Sequence, residues 1–242
     1  MGVLAVLVVV LGVQAIRHVG GEEVPSGGGV GLPSPTGDAP AVLFVGDNYT
    51  AAGAGITNTY ARQTAKTMGW VYLLDAQAGT GFVAAGQQRS SANGPYFSRL
   101  DRVKSVFRPD YVIVTGGRND AGENSTRVVQ AATSYLHAVR KAFPDARMII
   151  VAPFWVDSRP PSTLLALRNA ERGLAPALHA AFIDPLSQGW ITNQNQSQYI
   201  GGDRVDPTVE GHAYLARLLT AEVKRIAWPT ARSTSATRST NS

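Results

Sequence analysis

Between Ala41 and Ile226 the chain alternates short apolar runs with longer stretches of helical periodicity. Ala41-Val42-Leu43-Phe44-Val45 is unbroken, ends in Gly-Asp, and has the length of a strand buried on both faces. Val71 to Leu74, Tyr111 to Thr115, Met148 to Ala152 and Ala181 to Ile183 repeat that texture. Helical spacing is clearest over 125–143, where Val128, Val129, Ala132, Tyr135, Leu136 and Val139 fall on one face. Further helices are expected over 51–68, 100–107, 162–170 and 207–226. Pro207 suits the first turn of the last one, because its missing N–H would have no intrahelical partner there. Strands alternating with helices predict an α/β fold, a three-layer α/β/α sandwich around a central parallel sheet of about five strands. In such sheets ligands bind beyond the carboxyl ends of the strands.

The flanks have a different texture. Val3 to Ile16 is an almost continuous apolar run, shorter than the roughly 20 residues that span a bilayer. It fits the core of a signal peptide, with Val13-Gln14-Ala15 as a small-residue cleavage site. No Lys or Arg precedes it, so a short membrane anchor ending at Arg17 competes, and a buried element of the domain is the third reading. The chain is therefore expected to be secreted or membrane-anchored. Residues 1–19 would be the signal peptide or anchor, 20–40 a Gly/Pro/Ser-rich linker, 41–228 the folded domain, and 229–242 a disordered tail.

Composition narrows the chemistry. A chain of 242 residues that is 44% hydrophobic and 16% charged suits one globular domain. The absence of cysteine excludes disulfides, thiolate nucleophiles and cysteine-ligated zinc, and four scattered histidines suggest no metal site. No cofactor is expected. The net charge of +5 comes without a Lys/Arg block. It reads as solubility and weak attraction to anionic surfaces, not as a nucleic-acid partner.

Candidate chemistry gathers at the predicted strand ends. Gly46-Asp47-Asn48-Tyr49-Thr50 follows the first strand, Ala78-Gly79-Thr80-Gly81-Phe82 the second, and Gly117-Arg118-Asn119-Asp120 the third. Asp203-Arg204-Val205-Asp206-Pro207-Thr208 precedes the last helix. In this order the four segments resemble the motif blocks of the SGNH (GDSL-type) hydrolases, and the resemblance covers roughly Ala41 to Ile226. It implies hydrolysis or transfer of acyl esters of lipids, carbohydrates or small molecules. A serine attacks, a backbone N–H and an asparagine side chain hold the oxyanion, and a histidine oriented by an aspartate moves the proton. Carried onto this chain, the oxyanion donors are Gly79, with Gly81 as the alternative, and Asn119; the orienting carboxylate is Asp203.

Two positions depart from the family pattern. The nucleophile position is Asn48 and the base position is Asp206. An amide nitrogen, its lone pair delocalised into the carbonyl, cannot form an acyl-enzyme. Asn48 is also an ordinary turn residue. His212 lies six residues beyond Asp206, about 9 Å along a helix, and matches the packing histidine of the family's block rather than its base. One reading follows in which the protein is catalytically impaired, Asp206 accepts hydrogen bonds from Asn48, Arg204 or water, and the fold binds a glycan, lipid or small acyl-ester ligand or serves as a scaffold at the membrane or cell envelope. In the other, the Asp203/Asp206 pair activates water in a working hydrolase, and two converging carboxylates would raise each other's pKa.

Overall fold

Unbroken apolar runs that alternate their side chains between two faces need cover on both, and the structure supplies it. A computed structural model describes residues 22–23, 39–51, 56–86, 94–226 and 228. The expected signal or anchor segment, most of the linker and the tail lie outside the described residues. The strands are β1 (Glu22–Glu23), β2 (Ala41–Gly46), β3 (Val71–Ala76), β4 (Tyr111–Thr115), β5 (Arg147–Val151) and β6 (Ala180–Ile183). They form one parallel sheet in the order β1-β3-β2-β4-β5-β6. The five longer strands are those the apolar runs predict. Glu22–Glu23, within the stretch read as linker, pairs with Leu73 and Leu74 at the sheet edge.

The helices are α1 (Tyr60–Met68), α2 (Tyr96–Val106), α3 (Ser125–Ala142), α4 (Ser162–Leu174), α5 (Gln196–Tyr199) and α6 (Val209–Arg225). Leu43, Val45, Val112, Val114, Met148 and Ile150 pack with residues of α2, α3 and α4 on one face. Val42, Phe44, Ile113, Ile149 and Val151 pack with α1 and α6 on the other. This is the three-layer sandwich. The connection after β2 runs to one face, and those after its neighbours β3 and β4 run to the other. Such a reversal opens a crevice at the carboxyl end of β2.

Some boundaries differ from expectation: α2 begins at Tyr96 instead of Leu100 and α4 runs on to Leu174 instead of Ala170, and two helix starts differ for a local reason. The first helix begins at Tyr60 instead of Ala51, because residues 47–51 form a tight turn in which the Thr50 and Ala51 N–H groups both donate to the Asp47 carbonyl. The last helix begins at Val209, with Thr208 as its N-cap, so Pro207 lies outside the first turn and bridges to Ile200 instead. The short α5, which carries no buried apolar stripe, has no signature in the sequence.

Candidate active site

The turn after β2 presents Asn48 at the crevice. The buried Asp47 carboxylate accepts the Tyr49 N–H at 3.1 Å. The Thr50 hydroxyl shares hydrogen bonds with those of Tyr60 at 2.8 Å and Thr115 at 3.1 Å. With the residues on both sides anchored, the half-buried Asn48 side chain projects outward between them.

Its amide meets three of the other expected site residues. The Gly79 N–H donates to Asn48 Oδ1 at 2.8 Å, and Asn119 Nδ2 donates to the same oxygen at 3.1 Å. On its other side Asn48 Nδ2 donates to Asp206 Oδ1 at 3.1 Å. A backbone N–H can only donate, so the atom facing Gly79 has to be the amide oxygen, and the orientation of Asn48 is fixed by chemistry. Gly79 has φ of +74°, a left-handed conformation that glycine tolerates and that turns its N–H into the crevice. The Gly81 N–H is spent on the Ala84 carbonyl at 2.9 Å. Gly79 is thus the residue of this loop that points at position 48.

Asp203 stands apart from this knot. Its Oδ1 accepts the N–H groups of Val205 at 2.9 Å and of Asp206 at 3.2 Å, closing an exposed turn in which Arg204 has φ of +58°. These backbone bonds hold its carboxyl below the usual carboxylate range. The mutual elevation expected of two converging carboxylates is not what Asp203 shows, since its partners are main-chain donors and not the Asp206 carboxylate. Asp206 reaches Asn48 instead.

Several residues that frame the site carried no assigned role in the sequence reading. Asp120, closing the third block, is buried and accepts the N–H groups of Phe82, Val83 and Ala84 at 2.8, 3.0 and 2.7 Å. Burial pushes its carboxyl up against those lowering bonds. Arg99, on α2 and 1% exposed, pairs its Nε with Asp75 at 2.9 Å and donates to Thr80 Oγ1, the Gly94 carbonyl and the Asp75 carbonyl. Together Asp120 and Arg99 fasten the 77–84 loop that carries Gly79. Asp120 was visible as a motif residue; Arg99 sits in an ordinary helical pattern and had no signal. Asp47 is itself perturbed, its carboxyl pushed up to about 6 by burial, with the Arg118 charge opposing and Asp206 adding to the rise.

The rest of the last block shapes the entry to α6. The Thr208 side chain accepts the Gly211 N–H at 2.9 Å and caps the helix. A Cβ at Gly211 would lie 2.0 Å from the Tyr199 carbonyl oxygen, so only glycine lets α6 pass α5. His212 is buried, accepts the Tyr60 N–H on Nδ1 at 3.2 Å, and is lowered by burial to about 4. It is a neutral packing residue joining α6 to α1. Among the described residues, no group of three or more His, Cys, Asp or Glu is placed to hold a metal ion.

Comparison with known proteins identifies the family and the fold. A model described as the GDSL-like Lipase/Acylhydrolase family matches residues 44–214. GDSL lipase Rv0518 of Mycobacterium tuberculosis (strain ATCC 25618 / H37Rv) is 26% identical over 185 residues, covering 72% of this chain and 78% of that protein. Among solved structures, Axe2, an acetylxylan esterase from Geobacillus stearothermophilus, has a TM-score of 0.60 at 17% identity and covers 84% of this chain and 100% of that one. A family two carbohydrate esterase from Clostridium thermocellum, in complex with cellohexaose, has a TM-score of 0.59 at 20% identity, covering 80% of this chain and 66% of that one. At these identities the structural likeness is one of fold.

Proposed function

The chain belongs to the GDSL-like lipase/acylhydrolase family, and from that premise we propose that its site has passed from ester hydrolysis to the binding of an acylated carbohydrate. One observation carries the reading: Asn48 Oδ1 accepts from both Gly79 N and Asn119 Nδ2. In a serine hydrolase such donors await the oxyanion of the transition state, and one of them is worth about 3 kcal/mol. Here a side chain of the protein itself presents a neutral carbonyl oxygen to both. A substrate carbonyl would have to displace Asn48 to reach them, and no hydroxyl stands at position 48 to attack it.

The proton path is altered in the same way. Asp206 accepts from the Asn48 amide where an imidazole would take a proton from serine. The rival mechanism, water activated by Asp203 and Asp206, is disfavoured by the Asp203 turn. A carboxyl held below its usual range is a weak base, and it stays ionised where a leaving alkoxide needs an acid. The carbohydrate class is supported by the neighbours whose names mark them as carbohydrate or acetylxylan esterases. A secreted or membrane-anchored location, near the cell envelope, rests on the apolar run Val3 to Ile16.

The test is a panel of short and long acyl esters and acetylated sugars, with fluorophosphonate labelling, on purified protein. Wild type should show neither turnover nor label. Asn48→Ser with Asp206→His should create esterase activity, and either change alone should do little, because loss of one triad member already costs roughly four to six powers of ten. A wild-type rate equal to that of the double variant overturns the proposal and restores the carboxylate pair as the catalyst.

A further inference from the structure

Beside the filled oxyanion donors stands a cation that is held in place but not satisfied. Arg118 opens the single turn of 3-10 helix Arg118–Asp120, directly before Asn119. Its Cζ lies 5.5 Å from the centre of the Tyr49 ring and 5.8 Å from that of Trp155. Tyr49 is itself fixed, its hydroxyl donating to the Val205 carbonyl at 2.8 Å and its ring stacking on Phe154. Packing against two rings restricts the guanidinium and orients its donors in advance of any partner. Yet among the described residues the Arg118 side chain makes no hydrogen bond or ion pair, and its Nε is buried without an acceptor. Arg99, the arginine behind the same loop, shows the contrast, with acceptors on both Nη atoms and Asp75 beside its Nε.

We propose that Arg118 is a ligand-holding residue of this cleft, donating from its half-exposed guanidinium edge to a neutral oxygen of a carbohydrate: a hydroxyl, a ring oxygen or an acyl carbonyl. This rests on the binding reading above and names the contact that replaces the occupied oxyanion donors. Charge selects neutral over anionic ligands. The Arg118 cation acts on both Asp47 and Asp203, and Asp206 acts on Asp47 in turn. Asp206 is placed in the same cleft by its bond to Asn48, so three carboxylates share it with one guanidinium and leave no excess positive charge to attract an anionic ligand. A polyol needs no such charge. It can give an oxygen to Arg118 and hydroxyl protons to the exposed Asp203 and the half-buried Asp206, while the half-buried Trp155 offers apolar surface.

Calorimetric titration of the full chain with cellohexaose, an acetylated xylo-oligosaccharide and an oligogalacturonate tests this directly. Wild type should bind the neutral sugars, and the oligogalacturonate more weakly. Arg118→Ala should weaken neutral-sugar binding tenfold or more, and Arg118→Lys should recover little, since an ammonium lacks the planar fork of donors. Arg118→Gln keeps the packing and a donor but no charge, and serves in place of alanine if that variant does not fold. Neutral-sugar binding that is unchanged in the folded Arg118 variants removes Arg118 from the site and leaves the glycan reading standing. Tighter binding of the oligogalacturonate overturns the neutral class in favour of an anion site. No binding of any of the three sugars by wild type brings down the glycan reading and this proposal with it.

Discussion

Burial gives two titratable side chains opposite effects on stability as pH changes. Glu171 on α4 is 2% exposed, and its Oε2 has no hydrogen-bond partner among the described residues. Burial pushes its carboxyl well above the ordinary 4.5, with Asp184 and Asp120 adding to the rise. A raised carboxyl pKa contributes stability that is complete below the unfolded value and is lost as pH climbs toward the folded one. Glu171→Gln should therefore raise the melting temperature at pH 7 to 8 and change it little near pH 4. A lower melting temperature for the variant at pH 8 would show that the native carboxylate is well accommodated. His212 has the reverse sign. Lowered from 6.5 to about 4, it supports the fold above pH 6.5 and withdraws that support as pH falls from 6.5 through 4. In His212→Asn, whose side-chain oxygen can take the place of Nδ1 as acceptor for Tyr60, the loss of stability over that window should flatten. Denaturant melts at half-unit pH steps read it.

At the scale of elements, the crevice is shaped by how loops and helix ends are tied, and two substitutions separate these ties. Gly211→Ala places a methyl 2.0 Å from the Tyr199 carbonyl oxygen, backbone that cannot step aside like a flexible side chain. A cost of about 1–3 kcal/mol is expected, with α6 displaced from α5 and the Asp206 turn moved with it. Asp120→Ala removes the acceptor of three backbone N–H groups in the loop after Gly79. Buried donors left without partners cost about 1–3 kcal/mol each when water cannot reach them. Urea unfolding should show the loss, and amide exchange at residues 82–84 should accelerate more than in the core strands. Equal protection there would mean that the loop is held by something other than Asp120.

For the whole molecule, the Arg99–Asp75 pair joins α2 to the end of β3 through an ion pair shielded from solvent. Removing one partner of such a pair strands the other charge, and typically costs about 3–5 kcal/mol. Arg102, 3.6 Å from the same Asp75 oxygen, softens that loss. Arg99→Met should thus be strongly destabilising, whereas Arg99→Met with Asp75→Leu should regain much of the stability, as apolar replacements of buried pairs do. The double variant would still lack the bonds from Arg99 to Thr80 and Gly94. Its fold should recover while exchange at Gly79 and Thr80 stays fast. A double variant no more stable than the single would place the value of Arg99 in its carbonyl contacts instead of its charge.

The amino-acid order alone determined the layer architecture. Strands buried on both faces must be continuously apolar, and that property is written locally in Ala41 to Val45, Tyr111 to Thr115 and Met148 to Ala152. It also placed three of the four blocks at strand ends and the fourth before the last helix, with Asn48 and Asp206 within them. Helix starts were less readable, because Tyr60 and Val209 begin where Thr59 and Thr208 happen to be held, by the Thr50 carbonyl in one case and by Gly211 and Gln198 in the other. Tertiary structure alone decided what Asn48 and Asp206 meet. Asn48 meets Asp206 across 158 positions of sequence and Asn119 across 71. The direction of one amide, the choice of Gly79 over Gly81, and the stacking of Arg118 on rings from two separate loops are all contacts of that kind. Periodicity and motif spacing report which face a residue is on. They carry no information about which distant polar atom will lie within 3 Å of it once the faces close.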